Sequence, residues 1–362
     1  MSSLHFSQLH FTRPNKIFAA RKPAQISRNS RAGILDRAVR LAFSAAGALV
    51  IFSAASLPAR SAETYPSRPV KVIVPFAAGG PTDAITRIIT LRMRSPLGQP
   101  VVVENVAGAD GSTAVGRVVR SAPDGYTISI GNIATHVLNG EFYSLDYDLL
   151  NDLEPIALLV SAPALIVSNK SVPANDLRGL IGWLKDNPGK GSAGVFATWS
   201  RVFGVHLQNS TGTAFQLVPY RGAAPAMLDL VAGHINIMFD QAGDALPHLR
   251  GGDIKAFAVA AKSRLQLAPE VPTVDEAGLP GFYLSIWHGL WAPKGTPKAV
   301  VEKLNSAVAV ALADPEARQQ LIELGQEITP PDQQAPQQLR ALQKADADKW
   351  WPIMKQANIK AP

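Results

Sequence analysis

Beyond residue 66 the apolar positions of the chain fall into two alternating patterns. Compact runs rich in β-branched and aliphatic residues predict buried strands. Apolar residues recurring every three to four positions predict amphipathic helices. Strands are predicted at Val70–Val74, Val101–Glu104, Tyr126–Ile130, Ile156–Val160, Ala164–Val167, Phe215–Val218, Ile235–Phe239, Ile254–Ala260 and Phe282–Trp291. Helices are predicted at Thr82–Met93, Ser112–Arg120, Leu177–Asp186, Ser200–Ser210, Ala224–Ala232, Gly243–Leu249, Pro297–Leu312, Pro315–Leu324 and Gln337–Ala357. Asp124-Gly125, Asn187-Pro188-Gly189 and Leu279-Pro280-Gly281 punctuate them as turns.

Strands alternating with helices imply an α/β fold with helices on both faces of the sheets. Two long β-rich segments, Glu154–Asn169 and Phe282–Trp291, have the length to leave one sheet and enter another. If both cross, the chain forms two lobes joined by a two-strand hinge. One lobe would hold residues 63–162 and 287–362, the other residues 163–286. A ligand would then sit in the cleft between them. No internal repeat interrupts this reading.

The first 62 residues belong to a different pattern. Arg13, Lys16, Arg21, Lys22, Arg28, Arg31, Arg37 and Arg40 face one acid, Asp36. The apolar run Leu41–Leu57 follows, and Ser53-Ala54-Ala55 and Ala62 offer small-residue cleavage points. Basic, apolar, small is the order of a cleavable secretory signal. The rival, an uncleaved membrane anchor, fits less well because the run is shorter than the ~20 residues a spanning helix needs. The whole chain of 362 residues carries a net charge of +7. Residues 1–62 hold nine basic residues and one acid, which leaves 26 basic and 27 acidic residues, a net charge of −1. The basic balance therefore belongs to the export signal and gives no support to nucleic-acid binding. The chain has no cysteine, which excludes disulfides, a thiol nucleophile, thiolate metal sites and a lipid-anchored lipoprotein. The expected product is a freely soluble exported protein.

The most informative stretch is Val70 to Asp83. A short strand ends at Pro75, Gly79-Gly80 permit a tight turn, and Pro81 suits the first position of a helix. Free N–H groups and the positive end of the helix dipole converge on such a turn. No lysine follows the glycines, so this is no phosphate loop of the Walker kind, and the spacing is not that of a dinucleotide fingerprint. The turn suits a small anion such as a carboxylate, or else it is an ordinary strand-to-helix connection.

Catalytic and metal templates are absent from the pattern. There is no H-E-x-x-H and no G-x-S-x-G, and none of the seven histidines pairs with another at metal-ligand spacing. No catalytic residue, cofactor or metal is expected. Small and polar residues recur instead near predicted strand ends: Gly131–His136, Gly191–Arg201 and Phe239-Asp240-Gln241. Together with Phe76–Asp83 they would line one cleft, because open α/β sheets bind ligands at strand carboxyl ends. Each has a plainer alternative. His136 caps a turn, Asp240 caps the helix near Gly243, and Asp83 pairs with Arg87 along a helix. Trp287 and Trp291 read as core or cleft wall.

In this order, the segments resemble the Bug family, solute receptors of tripartite tricarboxylate transporters. The resemblance rests on Tyr65-Pro-Ser-Arg-Pro69, Pro75–Asp83, Gly98-Gln-Pro-Val-Val-Val-Glu-Asn105 and Ala122-Pro-Asp-Gly-Tyr126. It continues through Val218-Pro-Tyr-Arg-Gly222, Met238-Phe-Asp-Gln241, Pro272-Thr-Val-Asp-Glu-Ala-Gly278 and Gly289-Leu-Trp-Ala-Pro-Lys-Gly-Thr-Pro297. It covers nearly the whole chain after the signal, and its specificity lies in the ordered combination.

The resemblance implies a two-lobe periplasmic-binding-protein fold, a Venus flytrap of type II character. It implies a ligand carboxylate held by the first loop, Phe76, Ala77, Ala78, Gly79 and Gly80, with Thr82 and Asp83 behind it. It implies a second grip where a lobe-two helix opens, at Ser192, Ala193, Thr198 and Ser200, and side chains from Thr135, His136, Asp240 and Gln241 completing the pocket. The second loop departs from the family pattern, with Phe196 where a glycine is common, Ser200-Arg201 in place of Ser-His, and Trp199 as an extra residue. Arg201 is placed either to hold a second carboxylate or to face solvent. The partners implied are a small organic acid and, transiently, integral membrane transporter subunits, with the receptor itself a monomer. An exported enzyme acting on a carboxylate, needing His136 or Asp240 as its base, and a sensory receptor with the same cleft remain the alternatives.

Overall fold

The computed structural model describes residues 64–361. The expected secretory signal and its cleavage points lie outside the described residues.

The first sheet begins with β1 (Val70–Val74), flanked in parallel by β2 (Val101–Asn105) and β3 (Thr127–Asn132). Next to β3 runs β9 (Ser285–Pro293), antiparallel, and next to β9 runs β4 (Leu153–Asn169). The short β10 (Glu327–Ile328) also pairs with β4. The second sheet is built on the other half of the same β4. Ala164–Ser168 pair with β7 (Ile237–Gln241) and Leu165–Asn169 pair with β8 (Ile254–Val259). Beyond β7 lie β5 (Ser192–Val195) and β6 (Gln216–Pro219), both parallel.

The result is a two-lobe α/β fold in which one 17-residue strand serves both sheets. Ile156–Val160 and Ala164–Val167 were expected as separate strands within the crossing segment Glu154–Asn169, yet Pro163, which offers no N–H to a ladder, does not break it. Pro163 instead stands where the change of sheet occurs. It is the last residue paired with β9, and Ala164 is the first paired with β7. The chain crosses back at Leu284, whose N–H donates to Ala260 O at 3.1 Å, immediately before β9 begins in the first sheet. The strand expected over 282–291 therefore starts later and belongs to one sheet.

Helix α1 (Pro81–Leu97) follows β1, and α2 (Ser112–Val119) follows β2. α1 buries Ile85, Ile89, Met93 and Leu97, spaced by four, against the first sheet. Each such side chain contributes roughly 1.5–3 kcal/mol by leaving water. After β3 the chain coils through a tight turn at Ala134–Leu138 into the short α3 (Asn139–Phe142). The second sheet carries α4 (Leu177–Asp186), α5 (Thr198–Thr211), α6 (Ala223–Ala232) and α7 (Ala242–Arg250). The C-terminal helices α8 (Lys298–Ala313), α9 (Pro315–Glu323) and α10 (Pro336–Gln356) return to the first sheet. Gln343 of α10 donates to His136 O and Leu149 O, at 2.7 and 3.0 Å, and so fixes the segment after β3. Trp287 and Trp291 are both core residues, at 2% and 0% exposure.

Candidate functional site

The parallel strands of both sheets turn at their carboxyl ends into loops that contain the candidate residues. After β1, Gly79 adopts φ +89°, a left-handed conformation that a β-branched residue resists. Ala77, Ala78 and Gly79 are exposed. Pro81 opens α1, with Gly80 as its cap. Asp83 stands behind this turn at 3% exposure. Its Oδ2 accepts from Gly79 N–H and from Arg87 Nε, both at 2.9 Å, and its Oδ1 accepts from Asn105 Nδ2 at 3.0 Å. Asn105 also donates to Phe76 O at 3.1 Å. Burial alone would raise the Asp83 carboxyl; the bonds from Arg87, Gly79 and Asn105 outweigh it and hold the group below the ordinary carboxylate range. The structure thus places Asp83 as a strut of the loop, bonded to Arg87 along the helix. Among the described residues no protein acceptor meets the N–H groups of Ala77, Ala78 or Gly80. Thr82 turns inward, its hydroxyl 3.1 Å from His288 Nε2.

After β3, Asn132 Oδ1 accepts from the N–H groups of Ala134 and Thr135 and so tightens the turn. Thr135 and His136 follow, both at 0% exposure. The His136 ring stacks on Trp291 with centroids 3.8 Å apart, and its Nδ1 lies 2.8 Å from Thr135 Oγ1. Gly131 makes room for it, since a Cβ there would land on the imidazole. Burial pushes the His136 pKa down to about 3, so the ring is neutral at any physiological pH.

The second sheet supplies the other half. β5 is a strand where a loop was expected. Its residues Ser-Ala-Gly-Val have weak strand preference, but they pair on both sides, and Gly194 leaves space for Ile235. Ser192 therefore lies at the far, amino end of β5, where its N–H and hydroxyl bond Asn236 at 2.9 and 3.1 Å, and Ala193 is core. At the near end, Ser200 Oγ accepts from Phe196 N–H and Ala197 N–H and caps the start of α5. Phe196 packs edge-on against Trp199, which is 2% exposed. Thr198, the first residue of α5, is met by Asp110 of the β2–α2 loop: Thr198 N–H donates to Asp110 Oδ2 at 2.9 Å, and the Thr198 hydroxyl bonds the same oxygen. That hydroxyl is also 2.9 Å from Asn139 Oδ1. Arg201, partly exposed, and Asp110 act in opposite directions on the Tyr143 phenol, whose pKa burial raises first of all.

Asp240 is wholly buried at the end of β7. Its Oδ1 accepts from Gln241 N–H at 2.8 Å, and its Oδ2 has no partner. Burial, reinforced by the charge of Asp244, raises its pKa well above the ordinary value. Gln241 and Asp244 face the first turn across a cavity of about 130 Å³, lined by Gly79, Gly80, Pro81 and Ala84 on one side and by Gln241, Gly243, Asp244, Leu324 and Gln326 on the other. The structure thus brings Gly79 and Gly80 together with Gln241. It commits Asp83, Ser192, Thr135 and His136 to internal bonds. Asp110, Asn139, Asp244 and Gln326 were not singled out from the sequence. For Asp110 a signal existed: Gly108-Ala-Asp-Gly111 is a second strand-to-helix turn at a carboxyl end of the same sheet. Among the described residues no cluster of three or more His, Asp or Glu is placed to hold a metal, and no helix is long and apolar enough to cross a membrane.

Two α/β lobes sharing a strand, with strand-to-helix turns gathered at the carboxyl ends, define a solute-binding protein of the periplasmic kind. The chain belongs to the tripartite tricarboxylate transporter family receptors (TctC), which it matches over residues 85–359. It is similar to MatC from Rhodopseudomonas palustris, solved with bound malate, at 38% identity over 80% of this chain and 99% of that one, with a TM-score of 0.73. The periplasmic binding protein BugD is 37% identical over 82% of this chain and 100% of its own, TM-score 0.73. R. palustris Rpa4515, solved with adipate, is 31% identical over 82% and 100%, TM-score 0.74. The resemblance to the Bug family read from the sequence is borne out, and so are the fold class and the role of solute receptor.

Proposed function

We propose that the protein is exported through its cleavable signal and captures a small carboxylate-bearing solute in the periplasm. The lobes are residues 63–162 with 287–362, and residues 163–286. They close over the ligand about the two chain crossings, near Pro163–Ala164 and Leu284–Ser285. Closure is a population shift, driven by tighter binding to the closed form. The closed monomer then docks transiently on integral membrane subunits. The ligand carboxylate rests on the N–H groups of the Phe76–Gly80 turn, with Gln241 opposite and the start of α5 closing from the second lobe.

The observation that carries this reading is the exposed Ala77–Gly79 turn, braced from behind by Asp83 and facing Gln241 across a cavity. MatC with malate and Rpa4515 with adipate support the carboxylate class. No covalent step is needed. The two side chains an enzyme would have called on, His136 and Asp240, are both buried at 0% exposure, and His136 is locked neutral.

A thermal-shift panel of mono-, di- and tricarboxylates, acidic amino acids and aromatic acids on the purified protein tests it. A ligand at about 100 times its Kd adds about 2.7 kcal/mol, a shift of several degrees. A concentration-dependent shift with the ligand recovered unchanged is the expected result. Silence across all carboxylates, or turnover of one of them, would overturn the proposal.

A further inference from the structure

The start of α5 already holds an anion, and the chain itself supplies it. Asp110 takes the N–H of the first residue of a 14-residue helix at 2.9 Å and bonds the hydroxyl of the same residue. The contact joins the carboxyl end of one sheet to that of the other. It is aimed rather than accidental. Asp110 adopts φ +50°, ψ +38°, a left-handed conformation uncommon for a residue with a side chain. Its carbonyl is held by Asn139 Nδ2 at 2.9 Å, and Asn139, fully buried, also donates to Ser112 Oγ at 3.1 Å. The next residue, Gly111, packs so closely on Pro75 and Thr135 that a Cβ would collide with both. The Asp110 loop is therefore seated against the root of the first turn.

We propose that Asp110 is a specificity-determining residue: its carboxylate fills the anion position at the start of α5, so the cleft takes one ligand carboxylate, on the Phe76–Gly80 turn, and prefers a neutral or hydrogen-bond-donating group at the ligand's other end. The inference rests on the carboxylate-receptor reading above and names the ligand class within it. A helix start favours a negative charge. Once a side chain has provided that charge, a second carboxylate must displace it or sit beside it as a like charge, and specificity against the wrong ligand follows from that repulsion. The charge of Arg201 acts on the Tyr143 phenol in the direction opposite to that of Asp110.

Matched pairs test this by titration calorimetry on the purified protein: succinate against succinamate, and adipate against its monoamide. The wild-type protein should bind the monoamide of a pair at least about tenfold more tightly than the dicarboxylate. Asp110→Asn keeps an oxygen for the Thr198 N–H and removes the charge; it should bring the pair within about threefold. Asp110→Gly suits the left-handed backbone and clears the space; it should favour the dicarboxylate. Equal wild-type affinity for both members overturns the proposal. So does an unchanged pair ratio in variants whose melting temperature has moved, because a purely structural clasp would behave that way. If no member of either pair binds the wild-type protein, the carboxylate reading of the cleft falls and this inference falls with it, whereas a bound pair with the wrong ratio overturns the inference alone.

Discussion

Two strand-to-helix turns of the molecule, β1 into α1 and β5 into α5, differ in what meets their N–H groups. At the first, Asp83 stands behind the loop and bonds Gly79, while Ala77 and Ala78 are left to solvent. At the second, Thr198 and Ser200 are buried at 2% and 0% exposure, with Asp110 on the helix start and Ser200 capping its own turn. Local geometry alone gives both turns an affinity for anions. Whether a turn serves as a ligand site depends on whether the chain has already filled it from elsewhere.

The comparison can be broken most sharply at the first turn. Gly79→Val places a β-branched residue at φ +89°; it should cost about 1–2 kcal/mol of stability and lower affinity for the panel ligand by about 100-fold. Unchanged affinity in calorimetry would remove the first turn from the site. At the second turn, Thr198→Val deletes the hydroxyl shared by Asp110 and Asn139. Stability should fall by about 1–3 kcal/mol in urea unfolding, because the buried Asn139 and the half-buried Asp110 lose the one hydroxyl proton they share, with a smaller effect on affinity than Gly79→Val has.

Asp240→Asn sharpens the comparison from the acid side. The Asp240 carboxyl has its pKa raised by burial, so its charge lowers stability as pH rises from the unfolded value near 4 toward the raised folded one. The amide keeps the acceptor for Gln241 N–H. The variant should therefore be more stable at pH 7 by about 1–3 kcal/mol, and the gain should vanish in acid, where Asp240 is protonated anyway. A loss of stability at pH 7 would show that the charge is met by a partner.

The smallest expected effect is a slope. Burial pushes His288, bonded to Thr82 beneath the first turn, down to about 4 and His136 down to about 3. A folded pKa below the unfolded value near 6.5 means stability is fully present above pH 6.5 and is lost as pH falls from there toward 4. The melting temperature should decline across that window, and His288→Gln should make the decline shallower. Asp83, held low by its three donors, keeps the first turn braced until the pH falls through its depressed folded value.

Much of this was legible in the sequence. β1, the turn and the start of α1 were read almost to the residue because every local signal agrees: a β-branched run, a proline stop, two glycines and a proline at the helix start, while the helix runs four residues past the expected end at Met93. β5 was missed because Ser192–Val195 has the composition of a loop, and only its two neighbours make it a strand. A change of sheet within Glu154–Asn169 was anticipated from the length of that segment, while the continuity of β4 through Pro163 depends on strands far away in sequence. His136 and Thr135 looked like pocket residues because they follow a strand. Their burial is decided by Trp291 and Gln343, more than 150 residues on, and no periodicity near residue 136 encodes that. Asp110 was overlooked for the same reason in reverse, since its partner Thr198 lies 88 residues away.

The strand shared by both sheets also limits how this chain can change in length. Successive side chains of β4 point to opposite faces, so deleting one residue between Glu154 and Ser168 would turn the pattern of one sheet inside out relative to the other. Register shifts are already present in both halves, between Pro155 and Ala157 and between Leu158 and Val160 against β9, and between Ile166 and Val167 against β8, and the pairing on either side of each is kept. Insertions and deletions should be tolerated in the surface loops, whereas β4 can vary in composition but must keep its count.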